Sequence, residues 1–202
     1  MKMIGIVLFE GFEVLDVYGP LEMFGLLEPK PQLLMLAEQA GPVKSFQGPA
    51  TVADVELGKV QELDILLIPG GLGTRREANN QVLLDHIIRI AKNSTYVTSV
   101  CTGAGLLARA GLLDGKNATT NKRSFAWPKS QGPKANWIAE ARWVEDGKYF
   151  TSAGVSAGMD MALGLIERMY DRATAENTAA RAEYQWHSDK NWDPFAKMNG
   201  LV

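Results

Sequence analysis

Short, continuous runs of apolar residues recur along the first half of the chain, each bounded by turn residues. Runs of this length without polar alternation are typical of strands buried on both faces of a parallel sheet. We therefore predict strands in MIGIVLF (Met3 to Phe9), QLLMLAE (Gln32 to Glu38), ELDILLIPGG (Glu62 to Gly71) and TYVTSV (Thr95 to Val100). The third strand is expected to end at Pro69.

Apolar residues at three- and four-residue spacing predict helices between and after these strands. The first helix follows the turn at Gly11, with Pro20 at its start, where the missing N–H costs little. The second spans Asn80 to Asn93, contains His86 and has an apolar face of Val82, Leu83, Ile87 and Ile90. Three more are predicted in GAGLLARAGLL, which ends at Gly115, in SAGMDMALGLIERMYDR and in TAENTAARAEYQW. The last two each begin with a Ser or Thr N-cap candidate.

Turn signals divide the remaining segments into short strands. Gly41-Pro42 and Gly48-Pro49 predict a small hairpin, and Asp146-Gly147 predicts a second one. Asn117 to Asn121 is expected to be a short strand, and the tail after Trp186 an irregular wrap. Strands that alternate with helices predict an α/β fold with a mainly parallel sheet covered on both faces. We expect one domain over residues 1–202, because the length fits one and no linker interrupts the chain.

Composition narrows the functional classes. The formal net charge of −2 provides no basic excess for nucleic acid or anionic lipid. No apolar run reaches the roughly 18 residues that span a bilayer, and Glu10 and Glu13 interrupt any signal peptide. We therefore expect a cytoplasmic protein that binds neither membranes nor nucleic acid. One cysteine and two distant histidines give no metal-binding spacing, so no metal is expected.

The single cysteine, Cys101, lies in SVCTGAG, directly after a predicted strand and before a predicted helix. Free cysteines are often inert and buried, which is the alternative to a catalytic thiol here. A strand-to-helix turn, however, projects its residue into the crevice where α/β proteins bind ligands. The small flanking residues resemble a nucleophile elbow, although its first position is Ser99 rather than Gly. The helix N-terminus, the Gly103 N–H and the Thr102 hydroxyl would favour a thiolate.

Two further segments are expected to reach the same crevice. The N–H groups of Gly70 and Gly71 end a neighbouring strand and could form an oxyanion hole with the Thr102 N–H, unless they form only a tight turn. Asp16 follows the first strand in an apolar stretch, and its alternative role is a helix N-cap. If Asp16 lies beside Cys101, the two groups share one proton, because both cannot comfortably be anionic.

Together these segments resemble the DJ-1/PfpI (ThiJ) superfamily over nearly the whole chain. LFEGFEVLDVYGPLEMF, LDILLIPGG, VTSVCTGAGLLARAGLLDGKNATT and TSAGVSAGMDMALGLIE are most similar to its isocyanide hydratase branch. The resemblance implies a flavodoxin-like three-layer fold, a homodimer, Cys101 as the nucleophile, Asp16 as its acidic partner and Thr102 as support for both. Many relatives carry a histidine after the ATT strand, where this chain has Asn121, so a Cys–His dyad is in doubt.

The resulting hypothesis is a cofactor-free lyase that hydrates a small, apolar isocyanide to an N-formamide. Cys101 would attack the terminal carbon while Asp16 protonates it, and water would then release the product. Asn121 could donate a hydrogen bond to the substrate. Trp127, Phe125 and Tyr18 are candidate pocket walls, whereas Lys122 and Arg123 are expected to form a solvated basic patch.

Two alternatives remain open at this point. Cys101 could be a redox or stress sensor, oxidised to a sulfinate that Asp16 and Thr102 hold. Another activity of the superfamily, glyoxalase-like or amidase-like, is the second alternative. It is less favoured because Asn121 provides no general base.

Overall fold

The buried apolar runs of the sequence form the middle of a seven-stranded sheet. The computed structural model describes residues 2–202. In these residues the strands are β1 (Met3–Val7), β2 (Gln32–Ala37), β3 (Gly41–Lys44), β4 (Ala50–Ala53), β5 (Val55–Glu56), β6 (Ile65–Ile68), β7 (Tyr96–Ser99), β8 (Asn117–Ala118), β9 (Asn136–Trp137), β10 (Trp143–Asp146) and β11 (Tyr149–Ser152). The helices are α1 (Val14–Gly25), α2 (Thr74–Glu77), α3 (Gln81–Asn93), α4 (Gly103–Arg109), α5 (Ala126–Gln131), α6 (Ala157–Met169), α7 (Arg172–Arg181) and α8 (Pro194–Met198).

The central sheet has the strand order β10-β11-β7-β6-β1-β2-β5. All neighbouring strands in it are parallel except the β10–β11 hairpin. The four predicted apolar runs form β1, β2, β6 and β7, which confirms the expected parallel core. All four residues of β6 are fully buried, as a strand covered on both faces requires.

Helices cover the sheet in two groups. Helix α1 packs on α6, and α6 packs on α7. Helix α4 contacts β6 and β7 and packs against α2, α3 and α5. The predicted α/β fold, with its three layers and mainly parallel sheet, is confirmed.

The connection order creates a crevice between β1 and β6. The chain leaves β1 for β2 on one side and later returns to β6 on the other side of β1. Such a reversal of strand order separates the connections that leave the carboxyl ends of the two strands, and α/β proteins bind ligands there. The segments after β1, β6 and β7, which contain Asp16, Gly70 and Cys101, converge at this edge.

Both predicted hairpins are confirmed. Strand β3 pairs antiparallel with β4, with Gly41 opposite Ala53. Strand β10 pairs with β11, with Asp146 opposite Tyr149 across the predicted turn. The first hairpin forms its own small sheet. Phe46 lies in the connection between its two strands, and the Phe46 N–H donates to the Phe12 carbonyl at 2.7 Å.

Several local predictions were wrong. Pro20 lies inside α1 rather than at its start, and it packs against Gly158 of α6. Tertiary packing of the helix therefore overrides the local preference of proline for a first turn. Helix α4 ends at Arg109, well before Gly115, because Gly111 adopts a φ of +74° that ends the helix.

Other differences concern helix starts and chain segments. Ser156 precedes α6 without a capping side-chain hydrogen bond, and Asp171 rather than a Ser or Thr caps α7 by accepting the Thr174 N–H at 2.7 Å. Val82 is 56% exposed, and Leu84 takes its place on the buried face of α3. The predicted strand at 117–121 is only β8, which pairs with β9 outside the main sheet. The tail contains the short helix α8.

Within residues 2–202, no helix has both the length and the apolar character that crossing a lipid bilayer requires.

Candidate active site

Cys101 occupies a sharp turn between β7 and α4. Its φ of +56° is unusual for a residue with a side chain, and such strain is found where the surrounding structure fixes the backbone. The Cys101 N–H donates to the Ala153 carbonyl at 3.1 Å, and the Thr120 hydroxyl donates to the Cys101 carbonyl at 2.7 Å. The predicted strand-to-helix turn is present, and it leaves the side chain of Cys101 7% exposed.

Asp16 lies in the first turn of α1 and is completely buried. It is not the N-cap residue, since Glu13 occupies that position. Its Oδ2 accepts the Gly70 N–H at 2.8 Å. Within residues 2–202 no N–H or O–H group bonds to the other oxygen, Oδ1, and the carboxyl group interacts with the Cys101 side chain.

Gly70 shows how close these groups are. A Cβ placed on Gly70 would lie 2.6 Å from the Thr102 nitrogen, 2.8 Å from Asp16 Oδ2 and 2.8 Å from Cys101 Cβ. Any side chain at this position would overlap all three residues. Asp16 and Cys101 therefore face each other across the backbone at Gly70, as neighbours in one buried site.

Burial and mutual charge change the acidity of both groups. Burial is the main cause that raises the pKa of Asp16 well above its usual range; the Gly70 N–H opposes this effect, and the charge of Glu13 adds to it. Burial also raises the pKa of the Cys101 thiol, and the negative charge of Asp16 raises it further. Since each anion disfavours the other, the pair retains a proton at neutral pH.

The donors to the Cys101 sulfur differ in part from those expected. Polar contacts with the Thr102 N–H, the Thr102 hydroxyl and the Asn121 side chain lower the pKa of the thiol and so partly offset burial. The Gly103 N–H does not contribute, because it donates to the Val100 carbonyl at 3.0 Å. The groups that favour the thiolate thus belong to Thr102 and Asn121, although the pKa of the thiol remains raised.

Asn121 has a fixed amide orientation. Its Oδ1 accepts the Ser124 N–H at 2.8 Å, which leaves the NH2 group as the donor to Cys101. An amide can donate in this way but cannot take up a proton at neutral pH. The residue thus supports the sulfur without acting as a base.

The two glycine N–H groups expected to form an oxyanion hole have other partners. Gly70 donates to Asp16, and the Gly71 N–H donates to the Thr102 hydroxyl oxygen at 3.1 Å. The Thr74 hydroxyl donates to the Gly71 carbonyl at 2.7 Å and so fixes the same loop. These N–H groups position the acid and Thr102, which the sequence could not indicate because hydrogen-bond partners depend on the converging strands.

A pocket of about 400 Å³ opens above Cys101. Its lining consists of Glu13, Phe46, Gly71, Leu72, Arg75, Cys101, Thr102, Asn121, Arg123, Ser124 and Val155. The expected walls Trp127, Phe125 and Tyr18 are absent from this lining, so that prediction was wrong. Tyr18 forms a hydrogen bond with the Thr51 hydroxyl at 2.8 Å, and Phe125 is buried.

Sequence reasoning also missed several lining residues. Phe46 comes from the first hairpin, and Leu72 and Arg75 come from the loop and short helix after β6. Leu72 and Arg75 follow the PGG turn closely. Their positions next to a predicted strand end could therefore have indicated that they line the pocket. Phe46 gave no such signal, because only the tertiary fold brings the hairpin to this edge.

Lys122 and Arg123 do not form one solvated patch. Lys122 is buried, and its ammonium group donates to the Thr119 hydroxyl at 2.8 Å and to the Ala141 carbonyl. Burial lowers the pKa of Lys122 to about 8. Arg123 is exposed, as expected, and lines the pocket of Cys101.

The fold and the elbow cysteine define a class of α/β proteins, and the sequence matches the DJ-1/PfpI family over residues 2–168. The chain belongs to this family, which confirms the resemblance found in its motifs. An isonitrile hydratase from Pseudomonas putida is 34% identical over 181 residues, 90% of this chain and 78% of that protein.

Solved structures agree with this assignment. A ThiJ/PfpI family protein from Pseudomonas syringae has a TM-score of 0.82 at 31% identity, with 100% of this chain and 86% of that chain covered. A mutant of a DJ-1 superfamily protein from Salmonella typhimurium has a TM-score of 0.81 at 25% identity, with 92% and 100% covered.

Proposed function

We propose that this protein is a cofactor-free hydratase of small isocyanides in which Cys101 is the nucleophile and Asp16 the proton carrier. The observation that carries the proposal is the buried Asp16–Cys101 pair, which holds a proton without any imidazole nearby. The similarity to an isonitrile hydratase supports the substrate class, since isonitriles are isocyanides.

The resting pair is proposed to react with its proton on Asp16 and its negative charge on sulfur. Burial favours the neutral carboxyl group, and Thr102 and Asn121 favour the thiolate and partly offset the burial that raises the pKa of the thiol. The free Asp16 Oδ1 faces no other N–H or O–H group within residues 2–202 and is therefore available for proton transfer. Gly70 fixes the carboxyl plane through Oδ2.

In the first step the thiolate attacks the terminal isocyanide carbon, and a C–S bond forms. Asp16 transfers its proton to the same carbon, which gives a thioimidate, Cys–S–CH=N–R, and an Asp16 carboxylate. Negative charge on the substrate is removed as it develops, so this step does not depend on a dedicated oxyanion hole.

In the second step water adds its oxygen to the thioimidate carbon and one proton to the nitrogen. The C–S bond then breaks, the thiolate leaves, and the remaining hydroxyl proton passes to Asp16. The product is the N-formamide, and the starting pair is restored. The net reaction adds one water to one isocyanide and requires no oxidant or metal.

Turnover assays with purified protein and a small isocyanide panel test this proposal, with the formamide measured by mass spectrometry. We expect formamide from the wild type and none above background from Cys101→Ala or Asp16→Asn. Asp85→Asn is the matched control, because Asp85 is exposed on α3 and its carboxylate accepts a hydrogen bond from the Gln81 side chain. A wild type without formamide, or a fully active Asp16→Asn variant, contradicts the proposal.

A redox sensor is the second candidate, because the Thr102 and Asn121 donors at the sulfur would also bind a sulfinate. Hydration is favoured over it, because the similarity to an isonitrile hydratase supports that substrate class. Clean addition of two oxygens to Cys101 in dilute peroxide, without any formamide production, would support the sensor instead.

A further inference from the structure

Two guanidinium groups, Arg75 and Arg123, line the pocket above Cys101. Neither forms an ion pair with a carboxylate in the part of the chain that the structure describes. The carboxylate in the lining, Glu13, accepts a hydrogen bond from the Gln47 side chain instead. The pocket wall thus carries two guanidinium groups, and neither of them forms a hydrogen bond with Glu13 within residues 2–202.

Arg75 is held in a fixed orientation. Its guanidinium carbon lies 4.3 Å from the centre of the Trp127 ring, and Nη1 donates to the Thr74 hydroxyl at 3.1 Å. These contacts leave Nε and Nη2 without a hydrogen-bond partner among residues 2–202. Burial lowers the pKa of Arg75, and the charge of Cys101 opposes this effect. A stacked, planar donor fork of this kind matches a carboxylate better than an ammonium group would.

Arg123 supplies a second positive charge to the same pocket. It is exposed, and it follows Asn121, the donor to the Cys101 sulfur, by two residues. Neither guanidinium group forms a hydrogen bond with the Cys101 sulfur within residues 2–202, so both remain available to a ligand in the pocket. Phe46, Leu72 and Val155 provide apolar contacts in the same lining.

We propose that Arg75 and Arg123 bind a carboxylate on the substrate, so that the preferred substrate is a small isocyanide carrying a carboxylate group. This inference rests on the proposed function and differs from the apolar substrate expected from the sequence. The isocyano carbon would reach Cys101, the apolar residues would contact the connecting carbons, and the arginines would bind the charged end.

Equilibrium binding provides a test that does not depend on turnover. N-formylglycine and its neutral amide differ in charge but hardly in size, and both resemble the product of such a substrate. Calorimetry with the wild type should show about tenfold tighter binding of the carboxylate, the scale of one charge-assisted hydrogen bond that is partly screened. The preference should decrease in 1 M salt.

Variants assign the preference to the two arginines. Arg75→Gln and Arg123→Gln should each reduce the ratio of the two affinities, and the double variant should bring it close to one. Arg168→Gln is the control, because Arg168 pairs with Glu145 away from this pocket. Equal binding of the two ligands by the wild type, or a preference that persists in the double variant, overturns the proposal.

Turnover of isocyanoacetate and isocyanoacetamide separates this inference from the proposed function. We expect about tenfold higher kcat/KM for the carboxylate, with the same dependence on the two arginines. Carboxylate binding without turnover of either isocyanide would refute the hydratase and the substrate class, and leave only an anion-binding pocket. Turnover of both compounds at equal kcat/KM would refute the carboxylate preference alone.

Discussion

Asp16 and Cys101 meet across the backbone of Gly70, where a Cβ would lie 2.8 Å from an atom of each. The acid comes from the segment after β1 and the thiol from the turn after β7, and the end of β6 lies between them. The sheet order makes this possible, because β1, β6 and β7 are neighbours. Because the two groups are neighbours, the charge of Asp16 affects the pKa of the Cys101 thiol.

Gly70→Ala should damage both stability and function. The added methyl group would meet the Thr102 nitrogen at 2.6 Å, so the backbone must shift or strain. We expect a loss of about 1–3 kcal/mol in the free energy of unfolding, measured by urea denaturation, together with loss of formamide production. Gly25→Ala is the matched control, since its Cβ would meet only a Leu33 methyl group at 3.6 Å. A stable and active Gly70→Ala protein would contradict the close approach described above.

Asp16→Asn should become more stabilising, relative to the wild type, as the pH rises. The folded state raises the pKa of Asp16, so the protonated form stabilises the protein below about pH 4 and this contribution is lost as the pH rises through the folded-state pKa. The asparagine has no such dependence. The difference in Tm between variant and wild type should therefore increase in favour of the variant between pH 5 and pH 9.

Asp171→Asn provides the comparison for this measurement. The Thr174 N–H lowers the pKa of Asp171, so this residue stays ionised throughout the same pH range. Its difference in Tm from the wild type should be constant between pH 5 and pH 9. A constant difference for Asp16→Asn as well would mean that Asp16 is not protonated in the folded protein.

Asn121→Asp should make Cys101 less reactive. The aspartate can still accept the Ser124 N–H, but it replaces a donor to the sulfur with a negative charge. We expect the pKa of the thiol to rise, and alkylation by iodoacetamide at pH 8 to slow by about tenfold, the effect of one pKa unit. Mass spectrometry of the labelled protein measures the rate. Asn79→Asp, an exposed position, should leave it unchanged; an unchanged rate in Asn121→Asp would argue against the amide-to-sulfur bond.

Lys122 should make wild-type stability depend on alkaline pH. Burial lowers the folded-state pKa of Lys122 to about 8, so the folded protein favours the neutral amine. The free energy of unfolding is therefore reduced at pH values where the amine of the unfolded chain is protonated. The wild type should therefore gain stability relative to Lys122→Met as the pH rises from about 8 towards 10.5. Urea unfolding at several pH values measures this trend, and the opposite trend would indicate that Lys122 is stabilised as a cation.

The sequence by itself determined the central strands and indicated Cys101 and Asp16 as the candidate reacting groups. The apolar runs identified the central strands, because burial on both faces leaves a pattern that depends only on neighbouring residues in the chain. The position of Cys101 between a strand and a helix identified the elbow for the same reason. Asp16 was recognised as unusual because a carboxylate in an apolar stretch must find a partner.

Only the tertiary structure decided what surrounds those groups. The Gly70 N–H donates to Asp16 and the Gly71 N–H to Thr102, so neither points freely into the crevice. These partners depend on how separate strand ends converge. Arg75 enters the pocket because it stacks on Trp127, a residue 52 positions later in the chain that was itself expected to form the wall. Local hydrophobic patterns in the sequence indicate which face of a helix or strand is buried. Which neighbours meet there depends on long-range packing, and so does the choice of partner for each N–H group.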